Sequence, residues 1–239
     1  MLIKLRFDSP PRLHELVRRP YPRAVFTGLI QALGRVNSLV IQPNATRLVI
    51  GTGVWPHRPE LGASISVNGA CLTVVAVGDG LDATISFDVV AQTLAVTSLG
   101  RLRVGDGVNL EHAATPMTFL GGHVVLGHVD GLAEVVEVLR EGEWRVRVRL
   151  PESLSRFAVE RGSITLDGVS LTIARVEVAA VASTAMGDII DVCLIPETLA
   201  RTTLAAREVG DVINLEVDYL AKLVARQLEW MQSRVATRD

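Results

Sequence analysis

Short runs of alternating apolar and polar residues make up most of the chain after residue 25. In the run SISVNGACLTVVAV (64–77), Ile65 and Val67 face one way, and Leu72 and Val74 continue that face after a turn. Such alternation in segments rich in Val, Ile and Thr is typical of half-buried β-strands, and Asn-Gly and Asp-Gly pairs mark the turns between them. The pattern predicts an all-β chain, built as a small sandwich or as a closed barrel.

The chain carries an internal repeat with a period near 100 residues. Three blocks recur in the same order: GLIQALGRV (28–36) with GHVDGLAEV (127–135), SISVNGACLTVVAV (64–77) with SITLDGVSLTIARV (163–176), and VVAQTLAVTSLGRLRVGDGVNLE (89–111) with LIPETLARTTLAAREVGDVINLE (194–216). This period is too long for a solenoid and fits a duplicated domain. We therefore predict two similar domains, at 25–122 and 123–218, each with one short helix at its AQT or PET element.

A helical pattern begins at Tyr219. Apolar residues then fall at three- and four-residue spacing, at Leu220, Leu223, Val224, Leu228 and Met231. This spacing predicts an amphipathic helix within 219–239, with Asp218 as its N-cap. The apolar stripe packs either on the protein's own barrel or on its counterparts in an oligomer, and the pattern favours neither.

The first 24 residues differ from the rest of the chain. Pro10, Pro11, Pro20 and Pro22 make this segment a poor helix former. It also lacks the continuous apolar stretch of a secretory signal. We interpret 1–24 as a loose N-terminal extension.

The composition argues against several classes of binding partner. The formal net charge is −2, with 21% charged and 4% aromatic residues. These values argue against a nucleic-acid-binding surface and against a general attraction to anionic membranes. No run of about 18 apolar residues occurs, so no membrane span is expected. The two cysteines, Cys71 and Cys193, cannot form a disulfide framework, and reduced thiols are the rule in the cytosol.

Cys71 is the most reactive side chain in the repeated blocks. It follows a turn signal, so we expect it near the exposed start of a strand, and the second copy has Ser170 in the equivalent place. Two nucleophilic groups in equivalent positions favour a functional site. Cys193 matches Asp88 in the first copy, and we interpret it as part of a strand core.

The segment GGHVVLGHVDG (121–131) joins the two copies. As part of a strand, His123 and His128 would lie on opposite faces. Because no cluster of further Cys, His or carboxylate residues completes a site, this spacing predicts no metal centre. A single histidine beside glycines can carry a proton or make a structural hydrogen bond, and the residues alone favour the structural role.

Further polar positions recur between the copies. Thr73 matches Thr172, and Thr93 matches Thr198. Paired hydroxyls can bind the edge of a polar heterocycle, although threonine is also common in strands and caps for structural reasons. Gln92 and Glu197 occupy equivalent places but differ in charge, so the two copies are not expected to do equal work.

Taken in order, the motifs of 25–226 resemble riboflavin synthase of the α-chain type. The resemblance is carried by FTGLIQALGRV, SVNGACLTV, GGHVVLGHVDG, GSITLDGVSLT, LIPETLARTTL and VGDVINLEVD. The non-enzymatic lumazine proteins share the same fold and much of the same pattern. The motifs are jointly specific and cover nearly all of the chain.

The resemblance implies two tandem, similar, six-stranded Greek-key β-barrels followed by a C-terminal α-helix. It implies a cytoplasmic homotrimer assembled through the helices, with an active site between the N-terminal barrel of one subunit and the C-terminal barrel of a neighbour. The implied reaction uses no metal and no organic cofactor: two molecules of 6,7-dimethyl-8-ribityllumazine exchange a four-carbon unit and yield riboflavin and 5-amino-6-(D-ribitylamino)uracil. An association with lumazine synthase is also suggested.

The resemblance further implies two sets of substrate-binding residues. The set assigned to the N-terminal barrel is Gly28, Leu29, Ile30, Cys71, Leu72, Thr73, Asp88, Val89, Val90, Ala91, Gln92 and Thr93, approached by Phe26 and Thr27. The set assigned to the C-terminal barrel is Gly127, His128, Val129, Arg161, Ser170, Leu171, Thr172, Cys193, Leu194, Ile195, Pro196, Glu197 and Thr198. Cys71, His128, Ser170 and Thr172 match positions implicated in the chemistry of the family.

The chain departs from the family pattern at several points. Val25 stands where the family has its first Met, so the start at residue 1 is open to question, because a valine codon can initiate translation in bacteria. VVAQTLAVTSL replaces the usual MPETLRRTNL in the first copy, Arg161 replaces a common Lys, and Leu126 replaces a frequent Gln. A non-catalytic lumazine- or flavin-binding protein is therefore the alternative, and a barrel without any ligand is a third hypothesis.

Overall fold

Two closed six-stranded antiparallel barrels follow one another in a computed structural model that describes residues 24–55, 57–78, 83–179 and 187–235. The N-terminal barrel comprises β1 (Ala32–Ile41), β2 (Thr46–Gly51), β3 (Ser64–Val67), β4 (Ala70–Gly78), β5 (Thr84–Val89) and β6 (Gly107–His112). The C-terminal barrel comprises β7 (Gly131–Leu139), β8 (Arg145–Arg149), β9 (Ser163–Leu166), β10 (Val169–Glu177), β11 (Ile189–Cys193) and β12 (Val212–Val217). Apart from Ala24, the expected extension at 1–24 lies outside the described residues.

The prediction of two similar six-stranded barrels is confirmed, and the sandwich alternative is wrong. The strand order is β1-β2-β5-β4-β3-β6 around the N-terminal barrel, and the same relative order recurs in the C-terminal barrel. Closure leaves no unpaired sheet edge. Each barrel is lined by alternate residues of its strands, so Ile65, Val67, Leu72 and Val74 are all buried, as predicted.

Short helices interrupt the strands. The predicted helices at the AQT and PET elements are α1 (Ala91–Val96) and α3 (Pro196–Arg201), and a 3-10 turn follows each, at Ser98–Arg101 and Thr203–Ala206. The one-turn helix α2 (Glu152–Ser155) was not predicted. None of the helices in the described part of the chain has both the length and the apolar character needed to cross a membrane.

The C-terminal helix α4 (Tyr219–Val235) begins as the sequence predicts. The Asp218 carboxylate accepts a hydrogen bond from the Leu220 backbone N–H at 2.8 Å and caps its first turn. Leu220, Val224 and Leu228 are 64%, 60% and 54% exposed. The protein's own barrels therefore leave much of the apolar stripe of α4 exposed, and its packing on counterpart helices in an oligomer stays a prediction.

The two barrels meet where the β3–β4 turn faces the β9–β10 turn. Gly69 and Gly168 have positive φ angles of 82° and 79°. A Cβ added to Gly69 would lie 2.8 Å from the Gly168 nitrogen, and a Cβ added to Gly168 would lie 2.7 Å from the Gly69 nitrogen. Because no side chain fits between the two backbones, glycine is required on both sides for close packing.

Two buried asparagines link the barrels around this contact. The Asn109 side-chain amide donates to the Asp167 carbonyl oxygen at 2.9 Å, and the Asn214 amide donates to the Asn68 carbonyl oxygen at 2.7 Å. Their side-chain oxygens accept hydrogen bonds from the 3-10 turns of the opposite barrels. All four residues are at most 1% exposed. Each barrel donates one of these amide hydrogen bonds to the other and accepts one from it. The two barrels are therefore related by an approximate twofold axis.

Gly69→Ala should lower the free energy of unfolding by about 3 kcal/mol, because it adds a backbone clash to the cost of a positive φ angle. Gly142→Ala is the matched control: its φ is +72°, and no atom lies within 4 Å of an added Cβ. The control should lose only about 1 kcal/mol. Urea unfolding of both variants provides the measurement, and equal losses would contradict the tight contact between the barrels.

Candidate functional site

Two segments, 26–30 and 121–130, cross each other between the barrels. The Phe26 N–H donates to the Val125 carbonyl oxygen at 2.7 Å, and the Val125 N–H donates back to the Phe26 carbonyl oxygen at 3.1 Å. This isolated bridge is the only strand-like pairing of 121–130 within the described residues. The interpretation of His123 and His128 as opposite faces of a strand is therefore wrong.

Each crossing segment reaches the barrel that it does not belong to in sequence. The Ser170 N–H donates to the Gly28 carbonyl oxygen, and the Cys71 N–H donates to the Gly127 carbonyl oxygen, both at 2.8 Å. A Cβ added to Gly28 would lie 2.5 Å from the Ser170 Cβ, and a Cβ added to Gly127 would lie 2.7 Å from the Cys71 Cβ. Both glycines also have positive φ angles. Glycine is therefore required at both positions, because an added Cβ would clash with the facing strand and because other residues rarely adopt this backbone conformation.

This exchange corrects the predicted grouping of site residues. Ile30 packs against the core of the C-terminal barrel, and Val129 packs against the core of the N-terminal barrel. Gly28, Leu29 and Ile30 therefore belong with Ser170, whereas Gly127, His128 and Val129 belong with Cys71. We call the two groups the Ser170 site and the Cys71 site.

Two buried carboxylates hold the crossing segments in place. Glu111 accepts hydrogen bonds from the Thr27 N–H, the Thr27 hydroxyl and the Gly28 N–H, at 2.6, 2.7 and 2.9 Å. Glu216 accepts from the backbone N–H groups of Leu126 and His128 at 2.7 and 3.0 Å. Neither residue was predicted as a site residue from the sequence. The repeat carried a signal, because Glu111 and Glu216 both end the NLE segment that closes the third repeated block.

The surroundings of these carboxylates shift their pKa values. Burial raises the pKa of Glu216 to about 7; the two backbone N–H donors and Lys222 oppose this shift, and Asp130 adds to it. Burial also raises the pKa of Glu111, and its three hydrogen bonds from Thr27 and Gly28 oppose the rise. The native protein therefore holds a proton on Glu216 over a pH range in which an exposed glutamate would lose it.

The predicted polar side chains lie on the outer walls of the barrels. Cys71 and Thr73 alternate with the buried Leu72 and Val74 along β4, and Ser170 and Thr172 hold the same positions on β10. Burial raises the pKa of the Cys71 thiol above its ordinary value, and the Ser64 side chain only partly opposes this. Cys71 is therefore a neutral thiol at neutral pH and not a thiolate.

Four predicted substrate-binding residues turn inward instead. Leu72, Val89, Leu171 and Leu194 belong to the buried cores of the barrels. Their side chains cannot contact a ligand on the outer wall, and only their backbone groups remain available. Because the period of a strand turns alternate residues inward, these four residues stay predicted contacts through their backbone groups alone.

His123 lies at the Ser170 site and was not selected from the sequence. Its Nδ1 atom lies 2.7 Å from the Ser170 hydroxyl oxygen, and its Nε2 atom lies 3.2 Å from the Thr165 hydroxyl oxygen. Burial lowers the pKa of His123 below its ordinary value, so the ring is neutral at neutral pH. His128, in contrast, is exposed and follows Gly127 at the Cys71 site.

The equivalent positions Asp88 and Cys193 have different surroundings. Asp88 pairs with Arg47 through two hydrogen bonds on the outer wall of β5. Cys193 is only half-buried at the end of β11, opposite Arg145 in the β-ladder, so its assignment to a strand core is wrong. Arg145 pairs with Glu143 at 2.7 Å.

The ends of α1 and α3 carry the remaining predicted positions. Val90, Ala91, Gln92, Ile195, Pro196 and Glu197 are exposed there, and Thr93 and Thr198 are half-buried. Glu197 forms an ion pair with Arg201, one helical turn along α3. The first copy has no such pair because Gln92 is uncharged, so the difference in charge seen in the sequence persists at the surface.

Arg161 has an unusual backbone conformation for a non-glycine residue. Its φ angle is +65°, and the equivalent residue of the first copy, Gly62, has a φ of +82°. The Arg161 N–H donates to the Ile173 carbonyl oxygen at 2.8 Å, which places the residue beside Thr172. A strained backbone retained by an exposed arginine points to a functional role for that side chain.

No group of three or more His, Cys, Asp or Glu residues within the described ranges is arranged to hold a metal ion. The side chains named at the two sites are a thiol, hydroxyls, imidazoles and a guanidinium group.

Comparison with known proteins agrees with the two barrels. The model of the lumazine binding domain matches residues 27–113 and 126–218, one match in each barrel. Riboflavin synthase of Mycobacterium bovis is 42% identical over 84% of this chain and 97% of its own length, and that of Brucella abortus is 37% identical over 87% and 100%. The chain belongs to the lumazine-binding domain family and, within it, to the riboflavin synthases.

Solved structures show the same architecture. The crystal structure of LumP complexed with flavin mononucleotide superposes with a TM-score of 0.65 and 26% identity, covering 80% of this chain and 98% of LumP. LumP complexed with riboflavin gives a TM-score of 0.63 at the same identity and coverage. The arrangement of paired barrels is therefore shared with proteins that hold flavins.

Glu216→Gln should change how stability depends on pH. Because the folded pKa of Glu216 lies above the unfolded value, the native state binds more protons between about pH 4.5 and 7. The free energy of unfolding of the wild type, relative to the variant, should therefore fall as pH rises through this range and stay level above it. Urea unfolding across the pH range measures the difference.

Glu141→Gln, at an exposed position between β7 and β8, controls for the general loss of a carboxylate. If the stability difference between the wild type and Glu216→Gln did not vary between pH 4.5 and 7, a buried, protonated Glu216 would be contradicted.

Proposed function

We propose that this protein is a riboflavin synthase that transfers a four-carbon unit between two molecules of 6,7-dimethyl-8-ribityllumazine. The products are riboflavin and 5-amino-6-(D-ribitylamino)uracil. One observation carries the proposal: Cys71 and Ser170 occupy equivalent outer-wall positions, each hydrogen-bonded through its N–H to a glycine of a crossing segment. The identity to riboflavin synthases over most of the chain supports it.

A duplicated barrel suits a reaction between two identical molecules. Each barrel offers one site for the same heterocycle, and the reaction needs one molecule to give and one to accept carbon atoms. Holding both molecules in the right orientation removes much of the entropic cost of their encounter. The differences between the two sites then decide which molecule is donor and which is acceptor.

In the Ser170 site, we assign proton transfer to Ser170 with His123 behind it. A neutral imidazole has one N–H, and Thr165 can accept it from Nε2, which leaves Nδ1 free to accept the Ser170 hydroxyl proton. This arrangement makes the Ser170 oxygen more basic and more nucleophilic. It can then take a proton from the acidic 7-methyl group of a bound lumazine or add to its electron-poor ring.

In the Cys71 site, the neutral thiol acts as a hydrogen-bond donor and weak acid. His128 follows Gly127, which contacts Cys71, so each site has one histidine from the segment 121–130. The two histidines differ: His123 is half-buried and contacts Ser170, whereas His128 is exposed. We assign His128 as the proton carrier of the Cys71 site and Thr172 as a hydroxyl contact of the Ser170 site.

Polar groups around the Cys71 and Ser170 sites can bind the heterocycle. Thr73 and Thr172 lie exposed beside the two nucleophiles and are suited to bind its carbonyl and ring nitrogen atoms. The backbone at 88–93 and 193–198 borders the same walls. Arg161 adds a positive charge to the Ser170 site that the Cys71 site lacks, because the equivalent residue there is Gly62.

The protein assembles as a homotrimer through α4 in this proposal, with the Cys71 site of one subunit facing the Ser170 site of a neighbour. The exposed apolar stripe of α4 supports this, because a long apolar face of this kind is normally buried against another helix. The two free thiols are consistent with a reducing cytoplasm. Association with lumazine synthase remains part of the proposal, to be tested by co-sedimentation.

Incubation of the purified protein with the lumazine should produce riboflavin, measured by its absorbance and fluorescence. Cys71→Ser should lower kcat by about tenfold or more, because it removes an acidic group from the site. Cys193→Ser is the matched control and should keep kcat within about twofold, because only the backbone of Cys193 borders the site, and its side chain belongs to neither catalytic pair.

Two results would contradict this assignment. Tight lumazine binding without riboflavin formation would identify a non-catalytic binding protein, whereas the absence of any change in lumazine fluorescence would indicate a barrel without a ligand. A larger loss of kcat in Cys193→Ser than in Cys71→Ser would overturn the catalytic role of Cys71.

Leu228→Asp should convert the trimer into monomers, because it places a charge in the apolar stripe of α4. Sedimentation velocity measures the mass, and Ser233→Asp, at an exposed position on the side of α4 opposite the stripe, is the control. The monomer should retain lumazine binding but lose turnover, since the two sites come from different subunits. A monomer with full turnover would contradict the intersubunit site.

A further inference from the structure

A groove of about 680 Å³ lies between the two barrels and shares no residue with the Cys71 and Ser170 sites. It is lined by β1, by the two 3-10 turns at Ser98–Arg101 and Thr203–Ala206, and by the starts of β6 and β12. The approximate twofold axis relates the two 3-10 turns, so the groove is built from equivalent parts of both barrels. Its volume falls in the range of small-molecule sites.

Three residues of this lining have buried polar atoms without a partner among the described residues. They are the hydroxyl oxygens of Ser98 and Thr203 and the Nε atom of Arg207. Ser98 is only 7% exposed. Buried polar groups are normally hydrogen-bonded, so three such atoms in one groove indicate a binding partner that offers acceptors.

Arginines dominate the charge of the groove. Arg35, Arg101 and Arg207 all line it. Arg207 is held by Asp167 at 2.7 Å, whereas Arg35 donates only to the Gly105 carbonyl oxygen, and Arg101 has no hydrogen-bond or ion-pair partner in the described ranges. Two guanidinium groups are therefore not neutralised by a carboxylate.

The two carboxylates of the lining, Asp106 and Asp211, each accept a hydrogen bond from their own loop, and Asp211 also lies 3.8 Å from the Arg207 guanidinium. Asp106 accepts a hydrogen bond from the Arg103 N–H at 2.7 Å, and Asp211 accepts from the Glu208 N–H at 3.0 Å. Each of these bonds closes the loop that contains the aspartate. Arg207 is therefore paired with Asp167 and Asp211, and the donors of the lining without a carboxylate partner are Arg35, Arg101 and the two hydroxyls, groups that bind phosphate oxygens.

We propose that this groove binds a small phosphate-bearing molecule between the two barrels. A phosphate group accepts hydrogen bonds from Arg101, Arg35 and the hydroxyls of Ser98 and Thr203. The groove is larger than a single phosphate ion, so the remaining volume accommodates a sugar-sized organic part. The site is distinct from the lumazine sites and does not depend on the proposed function.

Titration calorimetry of the full-length protein, in a buffer without phosphate, tests this proposal. The probes are ribose 5-phosphate, inorganic phosphate and ribose. Ribose 5-phosphate should bind saturably, with one site per chain, and ribose should not bind. Tighter binding of ribose 5-phosphate than of phosphate identifies an organic phosphate as the ligand; equal affinity identifies the free ion. Both results support a phosphate site.

Arg101→Gln and Ser98→Ala should each weaken the Kd for ribose 5-phosphate by about fivefold. Arg103→Gln is the matched control, because Arg103 is exposed two residues away and does not line the groove. Since the Ser98 hydroxyl has no described partner, Ser98→Ala should not lower Tm when phosphate is absent. No binding at millimolar concentrations, or equal affinity in wild type, Arg101→Gln and Ser98→Ala, would overturn the proposal.

Discussion

The close approach of Gly69 and Gly168 is the contact on which the rest of the structure depends. Two turns meet there without side chains, and the amides of Asn109 and Asn214 satisfy the carbonyl groups that the contact buries. Buried amides are costly without partners, so the two barrels have one well-defined way to fit together. This geometry brings the first residues of β4 and β10 to the junction, and with them Cys71 and Ser170.

The crossing segments convert this symmetry into two different sites. Glu111 and Glu216 hold equivalent stretches of backbone in nearly the same way, and Gly28 and Gly127 contact equivalent strands. The side chains that follow are not equivalent. His123 contacts Ser170, whereas the equivalent residue of the first copy is Ala24, and Arg161 stands where the first copy has Gly62. A symmetric backbone thus carries two chemically different sets of side chains.

Much of the architecture could be predicted from the periodicity of the sequence, but the residue contacts between the two barrels could not. Strand alternation predicted Ile65 and Leu72 as core residues, and both are buried. The internal repeat showed that Ser170 occupies the position equivalent to Cys71. Glu111 escaped notice because a carboxylate at the end of a strand is ordinarily exposed. The grouping of Gly28 with the N-terminal barrel was wrong because an internal repeat fits equally well whether each segment docks on its own barrel or on the other.

The sequence by itself determined the duplicated all-β fold, the glycine turns, the terminal helix and the pairing of Cys71 with Ser170, because these depend on local periodicity and on comparison of the two copies. The tertiary structure alone decided the exchange of segments, the burial that keeps Cys71 a thiol and raises the pKa of Glu216, and the contact of His123 with Ser170. These features depend on distances between residues far apart in the chain, and on desolvation that only the packed barrels create.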